Sequence, residues 1–185
     1  MTVTLHFTGD TEADDFLARE PLALLVGMLL DQQVPMERAF KAPWQLRERL
    51  SGRLDAAAVA AMDPDEFAAR FSEKPALHRF PGSMGKRVHA LCEYLVEHYD
   101  GRAESVWEGV DSGEELFDRL RALPGFGEEK ARIFVAVLGR RLGVTPPGWE
   151  EKAADWPTIA DVDGPGALER VREAKAAWKA SKKKA

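Results

Sequence analysis

A short glycine-containing segment in the last third of the chain has the residue types needed to hold an anion. Leu123-Pro124-Gly125-Phe126-Gly127 is followed by Glu128-Glu129-Lys130-Ala131. Proline disfavours helical backbone in the residue before it, and the two glycines permit the positive φ angles of a tight reversal. A helix is predicted to begin near Glu128, and its free N–H groups and positive dipole end would attract an anion. Lys130, in the first turn, is predicted to add a positive charge to that anion site.

The flanks of this segment have helical periodicity. The spacing predicts an amphipathic helix over Ser112–Ala122, with Ser112 as N-cap and Glu115 at capping-box spacing. The apolar residues of the following helix are Ile133, Phe134, Val137, Leu138 and Leu142. Two helices joined by a tight hairpin form a helix-hairpin-helix, whose usual anion is a phosphate of the DNA backbone. The simpler alternative is that the glycines only end a helix as C-caps.

The composition limits the class of protein. A chain of 185 residues with 45% hydrophobic and 31% charged residues is typical of a globular protein with a sizeable core. The single cysteine, Cys92, excludes an intramolecular disulfide and a cysteine-ligated iron–sulfur or zinc site within one chain. Cys92 follows Val88 and Leu91 on an apolar helical face, so we expect a buried, inert thiol.

The charge is uneven along the chain. The net charge of −5 disfavours a general nucleic-acid coating protein, but basic residues gather near Lys86, Lys130, Arg140 and the Lys182–Lys184 tail. A local positive face on an acidic body predicts phosphate binding of modest affinity. For the tail, a solvated helix end that complements the dipole is the preferred alternative.

No segment has the pattern of a membrane anchor. The longest apolar run, Leu22 to Leu30, is shorter than the roughly 20 residues that a bilayer requires. The acidic N-terminal segment does not resemble a signal peptide. We therefore expect a cytoplasmic protein, nucleoid-associated when bound to DNA, with no membrane partner.

Helical patterns cover most of the chain and predict an all-α fold. Thr2–Phe7 alternates polar and apolar residues, which predicts a short strand or an extended arm. Val144–Ile159 is the longest loop-like stretch. The predicted helices that precede and follow the hairpin region are 21–30, 36–41, 43–50, 55–62, 63–71, 83–99 and 165–184.

Several of these segments, in order, resemble the helix-hairpin-helix DNA glycosylase superfamily, which includes endonuclease III and the adenine and alkyladenine glycosylases. Leu29-Leu30-Asp31-Gln32-Gln33 resembles the superfamily helix that ends in a Gln-containing turn, and 85–92 resembles the helix with an early lysine. Residues 123–131 match the superfamily hairpin closely. The segment 21–37 is similar to a small bacterial subfamily. The resemblance covers about residues 20 to 145.

The resemblance implies a fold and an activity. The fold would be one domain over 1–185, a two-lobed helical bundle with a cleft, in which one lobe spans about 20–120 and the other joins the chain ends to 112–185. The expected partner is double-stranded DNA with a damaged or mispaired base, bound by a monomer. Such enzymes extrude the target nucleotide because its glycosidic bond is inaccessible inside the stack.

The resemblance also implies which residues contact DNA. Gln33 would fill the gap that the extruded base leaves, although a Gln that only caps a helix end is the alternative. The hairpin residues Gly125, Gly127, Glu129 and Lys130 would hold a backbone phosphate, with Lys86 as a further contact. No cofactor is expected to be required, but related hairpins bind K⁺ or Na⁺ through carbonyl oxygens, here those of Arg121, Leu123 and Phe126.

The catalytic carboxylate is where the chain departs from the superfamily. Family members place an aspartate about two dozen residues after the start of the hairpin, where it stabilises an oxocarbenium-like sugar or activates a nucleophile. Counting without gaps reaches Pro147, and three extra residues lead to Glu150. The candidates are Glu150 and Asp161, then Asp155 and Asp163, and absence of the carboxylate is the remaining alternative.

Two further expectations concern the type of reaction and the base pocket. Members with lyase activity carry a Schiff-base lysine where this chain has Glu129, so we expect a monofunctional glycosylase that hydrolyses the N-glycosidic bond. The base pocket is predicted to draw on Trp44, His78 and Trp149, from a wider group that adds Phe40, Arg79 and Trp156. An exposed histidine without an acid–base role is the alternative for His78.

Two rivals differ from the enzyme interpretation. The first is a catalytically inactive module that binds DNA lesions, and the second is a helical interaction protein with no nucleic-acid partner. If replacing a candidate carboxylate abolishes base release but not duplex binding, the protein is an enzyme and not the inactive module. Salt-sensitive duplex binding would exclude the interaction protein with no nucleic-acid partner.

Overall fold

A computed structural model describes residues 2–184 of the chain and confirms the all-α prediction. These residues contain ten α-helices, and no strand is found among them. Two short 3-10 helices span Ala103–Val106 and Ile159–Asp161. The α-helices are α1 (Thr11–Arg19), α2 (Pro21–Leu30), α3 (Met36–Arg49), α4 (Ala56–Ala61), α5 (Pro64–Ser72), α6 (Pro81–Tyr99), α7 (Gly113–Arg121), α8 (Glu128–Leu142), α9 (Trp149–Lys152) and α10 (Ala167–Lys183).

Helix α2 occupies the centre of the molecule. Every residue from Leu22 to Leu30 is buried, because apolar side chains cover the whole circumference of this helix. Helices α1, α3, α6 and α8 pack around α2. Helices α4 and α5 pack against α6 on one side, and α7 and α9 pack against α8 on the other. The C-terminal end of α2 is therefore surrounded by elements that are distant in sequence.

The residues before α1 form an extended arm without strand pairing, one of the two predicted alternatives. Leu5 and Phe7 are buried in the common core. The Phe7 ring packs edge-on against Phe40, with ring centroids 5.3 Å apart. Burial of these alternate side chains explains the alternating sequence pattern.

The prediction of two helices over 36–41 and 43–50 is wrong. The chain forms a single helix, α3, with Pro43 inside it. A proline in a helix interior costs about 3 kcal/mol, so packing must offset this cost. Helix α3 packs tightly on α2, since a Cβ atom added to Gly27 would lie 2.5 Å from the Phe40 ring. Tertiary contacts thus outweigh the local helix-breaking effect of Pro43.

Several helix ends follow the predicted local signals. Ser112 caps α7 by accepting a hydrogen bond from the Glu115 N–H at 3.1 Å. The Glu115 carboxylate accepts from the Asp111 N–H at 2.9 Å, so it bonds one residue before the capping-box position. Helix α10 begins two residues later than predicted because Gly166 has a φ of +81° before its first turn.

Cys92 is buried in α6, as predicted, and burial raises the pKa of its thiol to about 12. The thiol is therefore protonated at neutral pH and is not a nucleophile.

None of the helices within residues 2–184 combines the length and apolar character needed to cross a lipid bilayer.

Candidate nucleic-acid interface

The hairpin between α7 and α8 makes one left-handed turn at Gly125. Gly125 has a φ of +82°, and the Phe126 N–H donates to the Leu123 carbonyl at 3.0 Å. Gly127 does not use the positive φ that a glycine permits, because this residue is extended, with φ −99° and ψ −171°. Gly127 is the N-cap of α8, and N-cap residues adopt extended backbone.

The two hairpin glycines differ in what a side chain would meet. A Cβ atom on Gly125 would lie 2.9 Å from Cδ1 of Leu29 on α2, so the hairpin packs closely on the end of that helix. A Cβ atom on Gly127 would meet nothing within 4 Å. Neither backbone conformation nor internal packing requires glycine at position 127.

The start of α8 presents backbone N–H groups without a side-chain cap. The Gly127 carbonyl accepts the first helical hydrogen bond from the Ala131 N–H at 3.0 Å, and no side chain caps the helix. The N–H groups of Glu128, Glu129 and Lys130 precede that bond and lack helical partners. These groups can bind an anion.

Lys130 lines the same cleft as the hairpin glycines, and its ammonium group is bonded to the end of α2 and to the turn that follows it. Its ammonium group donates to the Leu29 carbonyl and, at 2.9 Å, to Oε1 of Gln32. The C-terminal carbonyls of α2 lack helical donors and form the negative end of its dipole, which explains the attraction of the cation. Burial lowers the pKa of Lys130 to about 8. Lys130 therefore links α8 to the end of α2.

The turn after α2 carries Gln33 at its tip. Gln33 is exposed and has a φ of +59°, an uncommon conformation for a residue with a side chain. The Gln32 N–H donates to the Leu30 carbonyl at 2.7 Å, which closes the turn. A strained backbone persists only when its surroundings hold it, so this turn must be fixed by contacts with other residues.

His78 supports the turn from behind, and the interpretation of His78 as an exposed histidine is wrong. The side chain is only 1% exposed. Nδ1 accepts from the Phe80 N–H at 3.0 Å, so the ring proton lies on Nε2. Nε2 lies 3.0 Å from both the Leu30 and the Gln32 carbonyl oxygens and donates to them. Burial lowers the pKa of His78, which keeps it neutral.

The turn and the hairpin line the same cleft, which has a volume of about 720 Å³. Gln33 and Pro35 contribute from the turn, and Gly125, Gly127 and Glu129 contribute from the hairpin. Helix α10 supplies a third wall, made by Lys175, Trp178 and Lys179. The structure thus brings together residues that are about a hundred positions apart in the chain.

The aromatic side chains of the cleft are not those predicted. Trp156 and Trp178 line it and stack on each other, with ring centroids 5.8 Å apart and planes inclined by 16°. The Arg132 guanidinium lies 4.8 Å from the centroid of the Trp156 ring. Trp156 belonged to the wider predicted group, whereas Trp178 carried only the signal of an apolar helical face.

The other two predicted base-pocket residues pack elsewhere. Trp44 lies against Phe16, with ring centroids 5.5 Å apart, and beneath Arg47. Trp149 covers Gly139 of α8, where an added Cβ atom would lie 2.2 Å from the indole. These contacts give Trp44 and Trp149 packing roles outside the cleft.

The four candidate carboxylates lie outside the cleft that contains Gln33. Glu150 is exposed on α9. Asp161 accepts from the Thr158 N–H at 3.0 Å and forms an ion pair with Arg140 at 2.8 Å. Asp163 pairs with Arg170 at 3.1 Å. Asp155 lies on an adjoining cleft of about 630 Å³, where its side chain is 84% exposed and 3.7 Å from Arg132.

Sequence reasoning missed Asp31 as a site residue. Asp31 ends α2 as its C-cap, is half-buried and lines the cleft beside Gln33. Burial raises the pKa of Asp31, and the nearby charges of Lys175, Lys130 and Lys179 oppose that rise. The only sequence signal was an acidic residue next to the predicted Gln-containing turn.

Two remaining predictions concern Lys86 as a DNA contact and the binding of a metal ion. Lys86 lies on α6, outside the cleft, and pairs with Asp65 at 3.3 Å. Within the described part of the chain, no group of three or more His, Cys, Asp or Glu side chains is placed to hold a metal ion. The carbonyl site for K⁺ or Na⁺ at Arg121, Leu123 and Phe126 stays a prediction.

Comparisons of the chain with models of protein families, with curated proteins and with solved structures give no match.

Proposed function

We propose that this protein binds double-stranded DNA and acts as a monofunctional DNA glycosylase on a damaged or mispaired base. The observation that supports the proposal is the shared cleft. Gln33 and the hairpin residues Gly125, Gly127 and Glu129, each expected to contact DNA, line one cavity although α3 to α7 separate them in the chain. The helix-hairpin-helix identity and the two-lobed glycosylase fold are parts of the same proposal.

The start of α8 is the proposed phosphate site. Its uncapped N–H groups supply donors, and the dipole of a helix of 15 residues favours a negative charge there. The glycine at 127 leaves room for close approach of a ligand, because none of residues 2–184 occupies the position of its missing side chain. Lys175 and Lys179, which line the same cleft, add positive charge.

Gln33 is the proposed wedge. It is exposed at the cleft and its strained backbone is held by His78 and by the bond from Lys130 to Gln32. A side chain on a fixed turn can replace an extruded base in the stack without losing much conformational freedom on binding. The stacked pair Trp156 and Trp178 offers an aromatic surface for the extruded base.

Hydrolysis without lyase chemistry fits the hairpin residues. Glu129 stands at the position of the lyase lysine and is exposed. The neighbouring Lys130 ammonium is engaged by the Leu29 carbonyl and by Gln32. The lowered pKa of Lys130 favours the free amine, but a nucleophilic amine must also leave its hydrogen-bonded partners, and this requirement disfavours Schiff-base formation at Lys130.

The substitution Gly127→Asp tests the phosphate site without harming the fold. An N-cap aspartate accepts hydrogen bonds from the first-turn N–H groups, so it should stabilise α8 by about 0.5 kcal/mol. The same carboxylate fills and repels the anion site, so affinity for a duplex oligonucleotide should fall by about tenfold or more. Gly164→Asp is the matched control, because an added Cβ atom there also meets nothing within 4 Å.

Duplex affinity is measured by fluorescence anisotropy at low salt, and folding by thermal denaturation. Equal affinities of Gly127→Asp and wild type would refute the phosphate site. Activity is measured with a panel of duplexes that each carry one lesion, scored for abasic sites. Duplex binding without base release from any lesion would favour the inactive lesion-binding module.

A further inference from the structure

We infer that Asp31 is the catalytic carboxylate of the cleft, which activates the water that attacks the sugar. This inference rests on the proposed glycosylase function. It assigns the carboxylate role to the end of α2, whereas the superfamily resemblance pointed to the region after α8.

The position of Asp31 distinguishes it from the other carboxylates near the cleft. Asp31 lines the same cleft as the Gln33 turn and α10, and it is half-buried. Glu129 also lines this cleft but is exposed at the hairpin. An acid that is shielded from bulk water and open to a cavity can exchange a proton with a bound water.

Asp31 also lacks a structural partner. Within residues 2–184, the main influences on its carboxylate are burial and the charges of neighbouring residues, with no hydrogen bond among them. Asp14 gives the contrast, since this deeply buried carboxylate accepts from the Thr8 N–H at 2.9 Å and from the Thr8 hydroxyl at 3.0 Å. Asp161 is likewise engaged, by Arg140 and by Thr158. A half-buried carboxylate that opens onto the cleft and is not engaged by the protein is available to bind a water molecule there.

Four charged groups surround Asp31. Lys175 and Lys179 face it from α10, Lys130 faces it from α8, and Glu37 faces it from α3. The three lysines favour the ionised form, whereas burial and Glu37 favour the protonated form. This balance raises the pKa of Asp31 and makes its carboxylate a stronger base than an exposed aspartate while the lysines help to keep it ionised.

The proposed step uses water as the co-reactant. The bond between C1′ and the base nitrogen breaks, and its electron pair leaves with the base. The oxygen of a water in the cleft bonds to C1′, and the Asp31 carboxylate takes a proton from that water. The proton then passes to the departing base, which restores the carboxylate and leaves an abasic sugar.

The test compares Asp31→Asn with Asp15→Asn on a lesion duplex from which the wild-type protein releases a base. Both substitutions remove one negative charge, and Asp15 is exposed on α1, which does not line the cleft. Asp31→Asn should lower the single-turnover rate of base release by about 100-fold or more. Asp15→Asn should retain a rate within about threefold of wild type. Duplex affinity and the thermal unfolding midpoint should not fall in either variant.

The pH profile separates a catalytic role from a structural one. The wild-type rate should rise with pH through the titration of Asp31, and Asp31→Asn should lose this rise. A second variant, Asp31→Ala, should regain part of its rate when formate is added to replace the carboxylate.

The outcomes distinguish the two levels of the proposal. If wild type releases a base and Asp31→Asn retains this activity, Asp31 is not the catalytic carboxylate, and the proposed glycosylase function is unaffected. No base release by wild type from any lesion overturns both. A slow Asp31→Asn variant that binds DNA normally and regains activity with formate supports both.

Discussion

Lys130 and Gln32 are joined by a hydrogen bond of 2.9 Å although 98 positions separate them in the chain. The bond connects the first turn of α8 to the turn after α2, so the hairpin and the Gln33 tip are held in a fixed relation. Lys130 also donates to the Leu29 carbonyl. The cleft therefore depends on an ammonium group that is half-buried.

Lys130 should make stability rise with pH in the mildly alkaline range. Burial lowers its pKa to about 8 in the folded protein, from an ordinary value of 10.5. Between these values the unfolded chain binds more protons than the folded protein, so the free energy of unfolding increases as the pH rises. The limit is about 1.4 kcal/mol per pH unit, and the half-exposed position makes the effect smaller.

The measurement is urea denaturation of wild type and Lys130→Met between pH 7 and 9.5. The difference in the free energy of unfolding should grow with pH in favour of wild type. The raised pKa of Cys92 acts in the opposite direction but is common to both proteins. Lys86→Met, which removes an exposed lysine, serves as the control. Parallel curves for wild type and Lys130→Met would contradict the prediction.

His78 should make the protein less stable in mild acid. Its pKa is lowered by burial, so the unfolded chain takes up a proton before the folded protein does. The contribution of neutral His78 is fully present above the unfolded pKa of about 6.5 and is lost as the pH falls toward the folded pKa. Protonation would also end the hydrogen bond from the Phe80 N–H to Nδ1.

The variant His78→Gln keeps an N–H donor for the Leu30 and Gln32 carbonyls but does not titrate. Its free energy of unfolding should fall less than that of wild type between pH 7 and 5. His98→Gln, at an exposed position, should retain the wild-type loss. An equal loss in His78→Gln and wild type would show that His78 is not the group responsible.

Local sequence signals predict the helices better than they predict the cleft. The N-caps at Ser112 and Asp63 and the left-handed turn at Gly125 are set by side chains and dihedral preferences within a few residues. The helix boundary predicted at Pro43 is wrong because packing of α3 on α2 offsets the local cost of a proline.

The content of the cleft depends on contacts between distant segments. Asp31 and Trp178 carry no local signal of a site, since an acidic C-cap and an indole on a helical face are ordinary features. They become neighbours of the hairpin only when α8 and α10 pack near the end of α2. The hydrogen bonds of Lys130 could not be predicted for the same reason, because the Leu29 carbonyl that accepts one of them belongs to α2.

Gln33 should show a trade between stability and DNA binding. Its φ of +59° costs about 1 kcal/mol for a residue with a side chain, and glycine removes that cost. Gln33→Gly should therefore raise stability while weakening binding to a lesion duplex. Ser51→Gly is the matched control, because Ser51 also has a left-handed φ, of +62°, and is exposed in the loop between α3 and α4.

Thermal denaturation and anisotropy with a lesion duplex measure the two effects of these substitutions. Both variants should gain stability, and only Gln33→Gly should lose affinity. If Gln33→Gly binds the lesion duplex as tightly as wild type does, Gln33 is not a wedge and its turn only ends α2.

Helix α10 should contribute to the salt dependence of DNA binding through Lys175 and Lys179. These residues are four positions apart, so they share the helical face that lines the cleft. If each neutralises one phosphate, Lys175→Gln with Lys179→Gln should reduce the slope of log affinity against log salt by about 1.8. Lys183→Gln with Lys184→Gln makes the same charge change near the end of α10, where both side chains are exposed. This control should leave the slope nearly unchanged, whereas equal reductions in both double variants would mean that charge on α10 acts without a defined contact at the cleft.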